Sequence, residues 1–236
     1  VKTRLEILRQ KSADSEPYIS CFDYEYTDPD TTVATALREL NKREYLTDTN
    51  GERAEKISWE CSCLQKKCGA CAMRINSVPR LACDVKLTEA KNGVIRLEPL
   101  KKFPVVRDLT VDRKIIFDDL KALEVWFEEN AEPNEKRAET VHNASRCLQC
   151  GCCLEVCPNF LPGAGFKGMS ACVSLSAVIA EMSVSEQKRV YKNYSKYFYA
   201  GCGKSLSCRD ICPAGIDTEE LMVNSNAAAV WKRKRK

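Results

Sequence analysis

Eleven of the fifteen cysteines in this 236-residue chain fall into three tightly spaced groups. The first is Cys63-x4-Cys68-x2-Cys71-x11-Cys83. The second is Cys147-x2-Cys150-x2-Cys153-x3-Cys157-Pro158, and the third is Cys202-x5-Cys208-x3-Cys212-Pro213. Thiolate is the soft ligand that iron–sulfur iron needs. Spacing this close lets one loop wrap a cluster while its backbone N–H groups point at sulfur. Disulfides and zinc are the competing uses of so many cysteines. Disulfide frameworks belong to small secreted chains, whereas this sequence opens without a signal-peptide pattern and is long enough to bury a core without staples. Zinc prefers paired CxxC or Cys/His sets; here a three-cysteine run continues to Cys-Pro, and His142 is the only histidine. Iron–sulfur clusters in a reducing, cytoplasmic setting are the expectation.

The first spacing is the plant-type pattern for [2Fe–2S], with Cys63, Cys68 and Cys71 on one loop and Cys83 closing the site from the next strand. Lys66 and Lys67 within the loop place two cations beside it, which favours the reduced state and raises its potential. Cys61 rivals Cys63 but leaves a six-residue gap to Cys68, and it is read as a free buried thiol. In the second group Cys147, Cys150 and Cys153 serve one [4Fe–4S] cubane. The fourth cysteine of such a run ligates the other cluster, so Cys212 completes this cubane and Cys157 joins Cys202 and Cys208. A full run would carry cysteine at position 205, where this chain has Ser205. Three thiolates suit [3Fe–4S]; a serine oxygen on a fourth iron ranks below it. Cys21, Cys152 and Cys172 are left over, with Cys172 placed in a helix core beside Val173, Leu175 and Val178.

Substrate chemistry is not visible. Gly163-Ala164-Gly165-Phe166-Lys167-Gly168 matches a dinucleotide fingerprint but follows a Cys-Pro rather than a strand. Gly203-Lys204-Ser205 resembles the end of a phosphate loop but lacks its earlier glycine, and His142 has nothing nearby to form a catalytic pair. The net charge is only +4, and no basic patch beyond the tail Lys232–Lys236 suggests nucleic acid. That tail is read as a solvated, frayed end, with anionic lipid or an acidic partner as the sharper alternative. No apolar run approaches the ~20 residues of a membrane span.

The elements that must position these thiols change character along the chain. Residues 1–107 read as strand-rich: Thr3–Leu8, Tyr18–Tyr26 and Gly93–Leu97 carry β-branched, aromatic and alternating apolar residues. One helix interrupts them, capped by Thr31 or Thr32, with Val33, Ala36, Leu37 and Leu40 on one face. Residues 108–236 read as helical. Ile116, Leu120, Leu123 and Phe127 line one face, Ala131–Asn134 breaks the pattern, and further helices are expected over Ser170–Val184, over Ser185–Tyr199 and from Thr218, ending in the basic tail. The expected fold is α+β: an N-terminal β-grasp domain of plant-type ferredoxin form, then an all-α two-cluster ferredoxin domain.

This order of domains, with its missing cysteine, resembles the iron–sulfur subunit of succinate dehydrogenase and fumarate reductase. The resemblance covers nearly the whole chain and extends to Cys68-Gly69-Ala70-Cys71-Ala72-Met73-Arg74-Ile75-Asn76, Leu81-Ala82-Cys83 and Phe103–Asp112. It implies an oxidoreductase complex in which a separate FAD flavoprotein subunit interconverts succinate and fumarate. Electrons would then pass through [2Fe–2S], [4Fe–4S] and [3Fe–4S] clusters to a quinone beside a membrane anchor subunit. The chain itself would hold no catalytic residue and would lie peripherally on the cytoplasmic side of the membrane. Its first domain would meet the flavoprotein, and the trinuclear cluster would face the membrane. Two departures stand out. Many relatives carry a tryptophan shortly after the Cys157-Pro158 position and a histidine directly after the Cys202 position, both at the quinone site; here Asn159–Pro162 and Gly203 take those places. The anchor could therefore use haem or another carrier, and a flavin-linked reductase for a different enoate is the alternative. The loop Leu64–Lys67 also lacks a glycine common in the family.

Overall fold

Alternation of apolar residues builds the first strand, and a computed structural model describes the outcome for residues 1–131 and 135–231. Strand β1 (Lys2–Arg9) buries Thr3, Leu5, Ile7 and Arg9 on one face, as a period of two requires. It pairs antiparallel with β2 (Tyr18–Glu25), setting Leu5 opposite Phe22. Helix α1 (Val33–Lys42) follows. Of the two candidate caps it uses Thr32, whose hydroxyl accepts from Thr35 N at 3.2 Å, and it buries Val33, Ala34, Ala36, Leu37 and Leu40. A small hairpin, β3 (Leu46–Thr47) and β4 (Arg53–Ala54), precedes the first cysteine loop. That loop feeds β5 (Ala72–Ile75) and β6 (Val78–Leu81), a second hairpin. Strand β7 (Val94–Glu98) then runs parallel to β1. The sheet order is β2-β1-β7-β5-β6, a β-grasp whose unit also includes α1. Hairpin β8 (Val105–Arg107) and β9 (Thr110–Val111) closes the unit.

The chain divides into two units, Val1–Asp112 and Arg113–Lys236. The division falls after Asp112 because β8 and β9 stay together; a boundary at 107 would cut their hairpin.

The second unit is helical: α2 (Lys114–Ala122), α3 (Ala138–Ser145), α4 (Cys152–Val156), α5 (Gly168–Ile179), α6 (Val184–Tyr194), α7 (Ser207–Asp210) and α8 (Thr218–Asn226). Helix α6 runs on into a π-helical turn, Ser195–Tyr199, and α8 into another, Ala227–Trp231. Helix α5 is the core element. Its Met169, Ala171, Cys172, Val173, Leu175 and Ile179 are buried with Tyr194, Phe198, Leu221 and Met222. Tyr194 donates to Asn226 Oδ1 at 2.7 Å, giving its buried hydroxyl a partner.

Three expectations about these helices are corrected. Helix α2 stops at Ala122, and Glu124 takes φ 57°, so Phe127 packs against the core from irregular chain instead of from the helix. Helix α5 ends at Ile179, well before Val184, because Ser183 starts the next helix by accepting from Glu186 N at 3.4 Å. Helices α3, α4 and α7 were not expected; at four to eight residues they are too short to show a period. The break assigned to Ala131–Asn134 lies mostly, and the basic tail wholly, outside the described residues.

Candidate metal centres

In the first unit the loop from Cys63 to Cys71 turns through three left-handed residues: Leu64 (φ 54°), Lys66 (φ 59°) and Gly69 (φ 75°). Only the last is glycine. Each of the others costs about 1–2 kcal/mol in backbone strain. The conformation aims successive amides at sulfur: Gln65 N and Lys67 N donate to Cys63 Sγ, and Lys66 N donates to Cys83 Sγ, each at 3.3 Å. Two of the three left-handed positions are therefore filled by residues that carry a Cβ. Ala82 N donates to Cys71 O at 3.1 Å, tying the segment after β6 to the loop. Cys63 also neighbours Cys68, and Cys71 neighbours Cys83, while the Lys66 amide on Cys83 ties the second pair to the loop that carries the first.

The backbone donors hold the Cys63 thiol down at about 7, whereas burial pushes Cys71 up to about 12. Lys66 Nζ lies 2.8 Å from Asp84 Oδ2, so the positive charge beside the group is smaller than two free cations would give. Cys61 is exposed, which corrects its reading as a buried thiol. The segment Glu60–Ser62 runs along the surface with no core residue over it.

Two hollows of the second unit are lined by the clustered cysteines. One is lined by Cys147, Cys150, Cys153, Cys208 and Cys212. The other is lined by Cys157, Cys202 and Cys208 together with Ser205. Left-handed Gln149 and Gly151 turn the chain into α4, which carries Cys153. Left-handed Lys204 and Leu206 do the same before α7, which carries Cys208. Met169 lines both hollows. Among the described residues, no three Cys, His, Asp or Glu side chains converge tightly enough for a single metal ion. The thiols instead stand around a space, which is what a polynuclear cluster requires of its donors.

Several contacts here carry no periodic signal in the sequence. Cys152 is fully buried in α4 and hydrogen-bonds Cys150, the main reason the Cys150 thiol is lowered to about 7; the Arg113 charge acts in the same direction. Burial pushes Cys147 up to about 11 and also raises Cys153 and Cys208. Thr218 meets Cys208, and Cys202 Sγ lies 3.6 Å from Met222 Sδ. The adjacency of Cys152 to Cys153 was the one available hint. Cys172 is wholly buried in α5, and His142 is exposed.

The two departures at the third group prove to be neighbours. Asn159 Nδ2 donates to Gly201 O at 2.7 Å. A Cβ placed on Gly203 would sit 2.9 Å from that same nitrogen. Phe160 is buried, while Leu161 is exposed. No helix among the described residues is long and apolar enough to cross a membrane.

Residues 4–118 match the family model of a 2Fe-2S iron-sulfur cluster binding domain. The chain is 35% identical over 223 residues to the succinate dehydrogenase iron-sulfur subunit of Bacillus subtilis (strain 168), covering 90% of this chain and 87% of that protein. It is 28% identical to the fumarate reductase iron-sulfur subunit of Wolinella succinogenes, covering 87% of each. A chain in the solved Mycobacterium smegmatis Sdh1 complex, in the apo form, superposes with a TM-score of 0.79 at 19% identity, over 100% of this chain and 98% of that one. That likeness concerns the fold.

Proposed function

The chain belongs to the family of succinate dehydrogenase and fumarate reductase iron–sulfur subunits, and on that premise we propose how its eleven clustered cysteines carry electrons. It is the electron-transfer subunit of a succinate:quinone oxidoreductase or quinol:fumarate reductase complex, working with an FAD flavoprotein subunit and membrane anchor subunits. Cys63, Cys68, Cys71 and Cys83 hold [2Fe–2S]. Cys147, Cys150, Cys153 and Cys212 hold [4Fe–4S]. Cys157, Cys202 and Cys208 hold [3Fe–4S], with Ser205 left off the iron. When bound, these clusters supply one-electron carriers whose potentials follow net charge, hydrogen bonding and exposure.

The chain's own part is to present thiolates, aim amides at their sulfur atoms and keep water away. The Gln65, Lys66 and Lys67 amides do this in the first unit. Burial does it in the second, where Cys150 is buried among the helices. The first unit, Val1–Asp112, is assigned to the flavoprotein contact. The second, Arg113–Lys236, is assigned to the anchor, on the cytoplasmic face of the membrane and with the quinone near the trinuclear cluster. The packing of Asn159 on Gly203 favours an acceptor seated differently from that of relatives bearing tryptophan and histidine there.

The observation that carries the ligand assignment is the composition of the two hollows, each drawing thiols from both Cys-Pro runs. The test is purification of the native complex. A co-purifying flavoprotein with succinate- or fumarate-dependent dye activity is expected. EPR should show reduced [2Fe–2S] and [4Fe–4S] signals and an oxidised [3Fe–4S] signal. A chain that elutes alone, without flavin, would overturn the reading.

A further inference from the structure

Thr218 is the first residue of α8 and is 2% exposed. A threonine at a helix start commonly uses its hydroxyl for capping, but here Asp217 does so, its Oδ1 accepting from Glu220 N at 3.0 Å. The position after the cap needs no hydroxyl; proline is common there. Among the described residues the Thr218 hydroxyl has one hydrogen-bond partner, Cys208 Sγ at 3.6 Å. A thiolate ligand has no proton, so in the loaded protein the hydroxyl must be the donor. Cys208 lines both hollows, and Thr218 lines the one holding Cys147, Cys150, Cys153 and Cys212. The O–H···S contact therefore lies where the two hollows adjoin.

We propose that Thr218 is a positioning residue for electron transfer, whose hydroxyl bond to Cys208 raises the reduction potential of the trinuclear site. The inference rests on the assignment of Cys157, Cys202 and Cys208 to [3Fe–4S]. Reduction adds negative charge to the cluster and its thiolates, so a donor on a ligand sulfur stabilises the reduced form more than the oxidised one. Burial excludes the water that could replace the hydroxyl, and the low local dielectric strengthens what it does. Its consequence is to hold an arriving electron at the trinuclear end.

Potentiometric EPR titration of the intact complex tests this. Thr218→Val removes the hydroxyl at nearly constant shape, and Thr218→Ser retains it. The valine variant is expected to raise the oxidised-to-reduced ratio of the [3Fe–4S] signal at the parent's midpoint by about threefold or more, a shift of about 28 mV downward for a one-electron couple. Serine should titrate with the parent, and the [2Fe–2S] signal should not move in either. If valine prevents assembly, Thr218→Ala makes the same comparison. A trinuclear signal indifferent to losing the hydroxyl, or one that serine shifts as far as valine, overturns the proposal alone. A parent complex with no trinuclear signal overturns the ligand assignment and the proposal together.

Discussion

Arg9 and Asp108 form a buried ion pair in the first unit, with Nε 2.9 Å from Oδ1 and neither side chain more than 2% exposed. The Arg9 N–H is not aligned for a hydrogen bond to the carboxylate, but both groups are otherwise held. Arg9 Nη2 donates to the carbonyls of Glu55 and Lys56, both at 3.1 Å. Asp108 accepts from Gln10 N at 3.1 Å and from Ser58 N at 2.9 Å. The pair joins the end of β1, the segment entering the cysteine loop, and the turn between β8 and β9. Removing one member of such a pair leaves the other charged and buried. Asp108→Ala is therefore expected to cost about 3–5 kcal/mol. The urea midpoint for loss of the [2Fe–2S] signal measures it; a change below about 1 kcal/mol would show that the clamp contributes little.

Ser205 lines the hollow of Cys157, Cys202 and Cys208. Ser205→Cys supplies the thiolate that a full run carries, so the oxidised [3Fe–4S] EPR signal should be lost in favour of a [4Fe–4S] signal at lower potential. An unchanged oxidised spectrum would mean that position 205 does not face the missing corner.

Gly203→Ala forces the Asn159 amide off Gly201 O, because the added carbon would meet Nδ2 at 2.9 Å. One displaced hydrogen bond costs about 1 kcal/mol. In an Asn159→Ala background the obstacle is gone, so the same change should cost far less, with a coupling of about 0.5–1 kcal/mol. Thermal unfolding of the four variants of the cycle gives this coupling. Strict additivity would show that the two positions are independent.

Freed of iron, the thiols should differ in reactivity with pH. Cys63 ionises near 7 and is half-buried, whereas Cys71 is buried with its thiol pushed up to about 12. The thiolate is the reactive form. Between pH 7 and 9 iodoacetamide should label Cys63 well ahead of Cys71, and labelling of Cys63 should slow as the pH falls below 7. Mass spectrometry of the peptides reads the order, and equal rates would show that the amides of Gln65 and Lys67 no longer reach Cys63 once iron leaves.

Fold class and family are legible in the chain before it folds, because the signals for both are local. Thr3–Leu8 alternates as a strand must, Val33–Leu40 recurs as a helix face must, and cysteines two to four residues apart on a loop report iron–sulfur chemistry by spacing alone. Weak local signals mislead: the apolar spacing out to Phe127 runs past a helix end that Glu124 sets, and Cys61 is exposed rather than buried. Contacts between residues far apart in the chain belonged to the tertiary structure. Arg9 finds Asp108, Asn159 lies against Gly203, and Thr218 turns its hydroxyl to Cys208. None of these has a period or a motif. Each exists because packing places two distant segments together and a buried polar group must then bond to whatever packing has put beside it.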